Sequence, residues 1–167
     1  MAVYQDIASE AEVLSDYFSR TGEQYGIFDV VSVKAISEEI PGEVDEDGEP
    51  AVRVGPEVVL RYDLQRLDDM DAAYSSAKAF AKALGESRDV ILKHLEQDGK
   101  TERQAAFKAQ ANAAIVWMTK QYQDVALYRS PSGGDGKDGL LILEIAEADG
   151  VGSSFYYWKD GLESVTL

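Results

Sequence analysis

The sequence predicts an α+β fold, a mostly antiparallel sheet with about four helices packed on one face. Three observations carry this. Two β-rich stretches in the first third flank an acidic segment, the middle third has helical periodicity, and the last third returns to short apolar runs separated by Asp-Gly turns. Helices grouped between groups of strands suit an antiparallel sheet, because a parallel one needs the two element types to alternate. At 167 residues the chain reads as a single domain over 1–167, long enough to bury a core without disulfide or metal support.

The elements follow in order. Tyr4, Ile7, Ala8, Ala11, Leu14 and Phe18 recur at helical spacing and predict an amphipathic helix ended by Gly22. "GIFDVVSVKAIS" alternates as a half-buried strand. "AVRVGPEVVLRYD" reads as a second strand through Val58, Leu60 and Tyr62, with Gly55-Pro56 marking a bulge or an edge. The two strands predict a hairpin with "SEEIPGEVDEDGEP", residues 37–50, as a mobile tip punctuated by Pro41, Gly42, Gly48 and Pro50.

Leu67, Met70, Tyr74, Ala77, Ala81 and Leu84 then predict a helix closed by Gly85, followed by a shorter one over "SRDVILKHLEQDG" stopped at Gly99. Thr101 and Gln104 have the spacing of a capping box, ahead of a helix burying Phe107, Ala111, Ala114, Ile115, Met118 and Tyr122. "DVALYRS", "GLLILEIAE", "SSFYYWKDG" and "ESVTL" complete an antiparallel meander, with a second mobile loop near 130–139.

Charge and composition exclude several functions. The 31 acids against 16 bases give a net charge of −15, a field that repels phosphate backbones and anionic lipids and attracts cationic surfaces. Direct nucleic-acid and membrane binding are therefore not expected. The absence of cysteine removes thiol nucleophiles, disulfides and Cys-based zinc sites. The start "MAVYQDIASEAEV" lacks the pattern of a signal peptide, and the longest apolar run, "AAIVWM", is too short to span a bilayer. This suggests a cytoplasmic protein.

Motifs for specific chemistry fail on inspection. With Gly48 at the sixth position of a calcium loop, Glu43, Asp45 and Asp47 fit, but Val54 stands where a bidentate Glu is required. "DEDG" lacks the apolar strand before a phosphatase motif and has Glu49 where Thr is expected. "SPSGGDGKDG" places Pro131 at the first Gly of a P-loop and Asp138 at the magnesium-binding hydroxyl. "GESRD" around Ser87 lies between helices, and His94 is two turns away from Ser87. Asp68, Asp69 and Asp71 suit the start of a helix, where acids cap free N–H groups. No catalytic residue, cofactor or metal is assigned.

"FYYW", residues 155–158, sends Phe155 and Tyr157 to one face of a strand and Tyr156 and Trp158 to the other, which then needs a second layer, a ligand or a partner to cover it. These features favour a non-enzymatic acidic interaction protein that engages a partner with a basic surface, such as an immunity or inhibitor protein or a viral or mobile-element accessory protein. The candidate surface is Glu43, Asp45, Glu46, Asp47 and Glu49 together with Tyr156 and Trp158. A virion or other assembly subunit is the alternative, with self-association open; an enzyme or small-ligand binder built from dispersed residues is the third reading. No stretch carries a resemblance specific enough to name a family.

Overall fold

The computed structural model describes residues 2–68, 71–131 and 138–166, with the backbone alone for Ala72 and Thr166. The chain opens on strands where periodicity predicts a helix. β1 (Ala2–Asp6) pairs antiparallel with β2 (Glu12–Ser15) on one edge and with the last strand, β10 (Leu162–Thr166), on the other. The cause is local. Asp6 Oδ1 accepts the N–H groups of Ala8 at 2.8 Å and Ser9 at 3.1 Å, which turns the chain where a helix would need those donors. Glu10 completes the reversal at φ 62°.

The remaining strands build a seven-stranded sheet. β3 (Arg20–Gln24), β4 (Phe28–Val44), β6 (Gln65–Arg66), β7 (Val125–Arg129), β8 (Ile142–Ala146) and β9 (Gly152–Trp158) lie in the order β3-β4-β9-β8-β7-β6, and β5 (Pro50–Pro56) joins β4 off this path. Every pairing is antiparallel. Gly22 is a residue of β3 rather than the end of a helix.

The expected hairpin forms, but its ladder reaches into the acidic stretch: Ser37 pairs Val54, Glu38 pairs Arg53 and Glu39 pairs Val52. The second strand stops at Pro56, and a short helix, α1 (Glu57–Tyr62), takes over the residues expected to continue it. Pro56 at φ −58° supplies the turn into the helix. Glu57 and Arg61 form an i,i+4 ion pair along it at 2.8 Å.

Two helices expected in the middle third are one, α2 (Ala77–Gln97), which begins where Ser76 accepts the Ala79 N–H at 3.0 Å. Gly85 lies inside it without ending it, because the helix pitch continues to bury Phe80, Leu84, Ile91 and Leu95 on one stripe. Gly99 ends it at φ +67° as expected. α3 (Thr101–Thr119) buries Phe107, Ala111, Ala114, Ile115 and Met118 as predicted, but the capping box is not made, since the Thr101 hydroxyl turns back to the Gly99 carbonyl at 3.5 Å. The described residues thus form three α-helices instead of about four. Asp71 caps a 3-10 turn, accepting the Ala73 N–H at 2.9 Å. Asp69, Met70 and residues 132–137 of the loop near 130–139 lie outside the described residues.

The large sheet separates two cores. On one face α2 and α3 cover Phe28, Leu127, Leu143 and Trp158; on the other the small sheet and α1 cover Val31, Val33, Phe155 and Tyr157. Asp6 ties the second layer to the first. Its Oδ2 accepts the Leu140 N–H at 2.8 Å, and Ser9 and Ser130 share a buried hydrogen bond at 2.6 Å beside it. Gly139 is required here, because a Cβ would stand 2.3 Å from Ser130 Oγ. Burial raises the Asp6 carboxyl above its ordinary range, against the pull of the Ser9, Leu140 and Ala8 N–H groups.

Asp6→Asn places an amide NH2 against one of these donors, so it is expected to lower stability by about 1–3 kcal/mol, read as a fall in the urea midpoint. An unchanged midpoint would show that the three bonds do not hold the two layers together.

Candidate functional site

Strand β4 leaves the core after Val33, and residues 41–50 are exposed without interruption. The tip is a tight turn organised by Asp45. Its Oδ1 accepts the N–H groups of Asp47 at 2.9 Å and Glu49 at 3.0 Å, its own N–H donates to the Glu49 carbonyl at 2.8 Å, and Gly48 adopts φ +80°. An Asp that satisfies its own turn in this way is a structural residue as well as a charge. Glu43, Glu46, Asp47 and Glu49 are exposed around it.

Arg53 is the single base within residues 37–56, and it is committed internally. It donates to Glu38 Oε1 at 2.9 Å and to the Leu60 carbonyl at 3.1 Å, and lies 3.5 Å from Asp63. The hydrogen bond to Glu38 foremost raises its already high pKa. The hairpin therefore presents carboxylates with no free cation among them. Strand alternation spreads these acids over two faces, and among the described residues no three His, Cys, Asp or Glu side chains are grouped to hold a metal ion.

The second half of the expected surface lies elsewhere. Trp158 is 2% exposed, with its ring 4.7 Å from Phe28 and 6.2 Å from Phe107. It is a core residue, and its assignment to an interaction surface is corrected. Tyr156 is half-buried against Trp117 at 5.8 Å and Phe28 at 6.2 Å. The second layer that this face needs is α3, whose docking no local pattern reveals. Phe155 and Tyr157 enter the opposite core as expected, with the Tyr157 hydroxyl donating to the Val13 carbonyl at 3.0 Å.

Ser87 is likewise structural, accepting the Leu141 N–H at 3.3 Å, and His94 faces Asp98 at 3.2 Å. Sequence reasoning missed the apolar component of the hairpin: Val44, Val52 and Val54 are 69%, 52% and 71% exposed. The signal was present in the i,i+2 spacing of Val52 and Val54 around Arg53.

The family model of the translationally controlled tumour protein matches residues 1–163. The chain belongs to this family. Solved structures agree on the fold: the translationally controlled tumor-associated protein p23fyp from Schizosaccharomyces pombe is 20% identical with a TM-score of 0.75, each chain covered in full. The translationally controlled tumor protein from Caenorhabditis elegans is 17% identical with a TM-score of 0.73, over 100% of this chain and 99% of the other.

Membership of the translationally controlled tumour protein family overturns the immunity-protein, inhibitor, viral or mobile-element and virion-subunit expectations. Those rested on small size and net charge, which proteins of many origins share. The family is generally non-enzymatic, in keeping with the expectation for this chain, and its members bind proteins. None of the described helices is long and apolar enough to cross a membrane.

Trp158→Ala is expected to cost about 3–5 kcal/mol in a urea melt. Glu46→Gln and Asp47→Asn should each stay within about 0.5 kcal/mol of the parent. A mild effect at Trp158 would return that residue to the surface.

Proposed function

We propose that this translationally controlled tumour protein family member is a non-catalytic binding protein whose β4–β5 hairpin engages the basic surface of a protein partner. The supporting observation is the imbalance on the hairpin: seven carboxylates in residues 37–50 against one arginine that is already paired with Glu38. Uncompensated charge at an exposed tip raises the rate of encounter with an oppositely charged surface and sets its orientation. Nucleic acid and anionic membranes are repelled by the same field.

In this reading the chain works as one domain, 1–167, and the hairpin tip is its mobile part. Glu43, Glu46, Asp47 and Glu49 meet the partner, while Asp45 keeps the turn that presents them.

The test neutralises Glu46, Asp47 and Glu49 together as Gln, Asn and Gln, sparing Asp45 so that the turn survives. Association with a lysine-rich peptide should weaken about tenfold in the variant, mostly through a slower on-rate. For the parent, affinity should fall steeply as salt rises through about 0.1 M. Equal affinity in the two proteins would sink the proposal.

A further inference from the structure

The hairpin offers more than charge. β5 pairs with β4 on one edge and with no described strand on the other, so alternate main-chain N–H and C=O groups face outward along it. Its two faces also differ. Arg53 and Gly55 belong to the face closed by α1: Arg53 reaches the Leu60 carbonyl, and a Cβ on Gly55 would meet Leu60 Cδ2 at 3.7 Å. Val52 and Val54 lie on the opposite face with their cross-strand partners Glu39 and Ser37, and both valines are exposed. Beyond the register shift, Glu39, Ile40, Glu43, Val44 and Pro50 line an open groove of about 580 Å³.

An open edge beside exposed valines is a template for another strand. Proteins blunt such edges with proline or charge. Here the prolines stand at positions 50 and 56, the two ends of β5, and residues 51–55 between them keep their N–H groups. The charge decides the occupant. Two copies brought edge to edge would oppose the same excess of carboxylates, whereas an extended segment rich in Lys or Arg would neutralise them.

We propose that β5 accepts an extended basic segment of a partner protein as an added strand, with its apolar side chains on Val52 and Val54 and its cations among the surrounding carboxylates. This rests on the basic-partner reading above and names the form the partner takes. Main-chain hydrogen bonds supply affinity in such additions, and alternate side chains supply specificity.

The probe is a synthetic peptide of about ten alternating Lys and Val residues, long enough to span β5, titrated into the full chain. Two further peptides carry N-methyl groups on one alternate set of residues or on the other. In an added strand only one set of N–H groups points at β5, so one methylated peptide should bind about tenfold more weakly while the other stays within about twofold of the parent.

Val52→Ser combined with Val54→Ser should weaken the unmodified peptide about fivefold and leave the urea midpoint unchanged, since both side chains are exposed. Two methylated peptides that bind alike, or a double valine variant that binds as the parent does, overturn strand addition and leave the basic-partner reading standing. Failure of every peptide to show salt-sensitive binding overturns both.

Discussion

Strand β4 bonds to β9 along one edge and to β3 along the other over Phe28–Val31, and in this stretch it is buried on both faces. Phe28 faces the helices; Val31 and Val33 face the small sheet. Full burial of each such side chain contributes about 1.5–3 kcal/mol, and the partner strand β9 repeats the arrangement with Trp158 against Phe155 and Tyr157. Both layers are assembled on this strand pair. The helices have nowhere to dock without one face, and the small sheet has nowhere to dock without the other. Asp29 is admitted to the buried stretch because Arg20 meets it at 2.8 Å, although burial still raises its carboxyl.

The same strand explains how the hairpin comes to be free. β4 is 17 residues long, more than twice a typical strand, and the helices and small sheet cover only Phe28–Val33. From Ala35 to Glu39 the main chain is paired with β5, while most of the side chains face water. Such a ladder needs an anchor at its base, which α1 provides through Arg53, Glu38 and the Leu60 carbonyl. The anchor consumes the hairpin's one cation, so fixing the hairpin and leaving it negative are a single event.

Charge follows the layers as well. Residues 77–120, which span the two long helices, carry eight Lys and Arg against five Asp and Glu, so the excess of acid belongs to the strands and their connections. The fold itself tolerates wide variation in sequence. Relatives at 20% and 17% identity keep TM-scores of 0.75 and 0.73 over essentially the whole chain, because packing of the buried positions sets the architecture.

The sequence by itself determined the α+β class, the antiparallel meander of β7, β8 and β9, the buried stripe of α3 from Phe107 to Met118 and the end of α2 at Gly99, since each depends on a period or a turn residue readable within a few positions. It also determined the acidity of the hairpin and the lack of local catalytic motifs. Tertiary structure alone decided the rest. The first segment became two strands because Asp6 finds its third donor on Leu140, and β1 finds its second partner in β10, both more than a hundred residues away. Residues 57–62 became helix where Pro56 ended the ladder. Trp158 was hidden because α3 lies across it, while Val52 and Val54 were left bare because α1 took the other face of β5. A period shows that a strand has two faces; only the packing of distant elements decides which of them meets water.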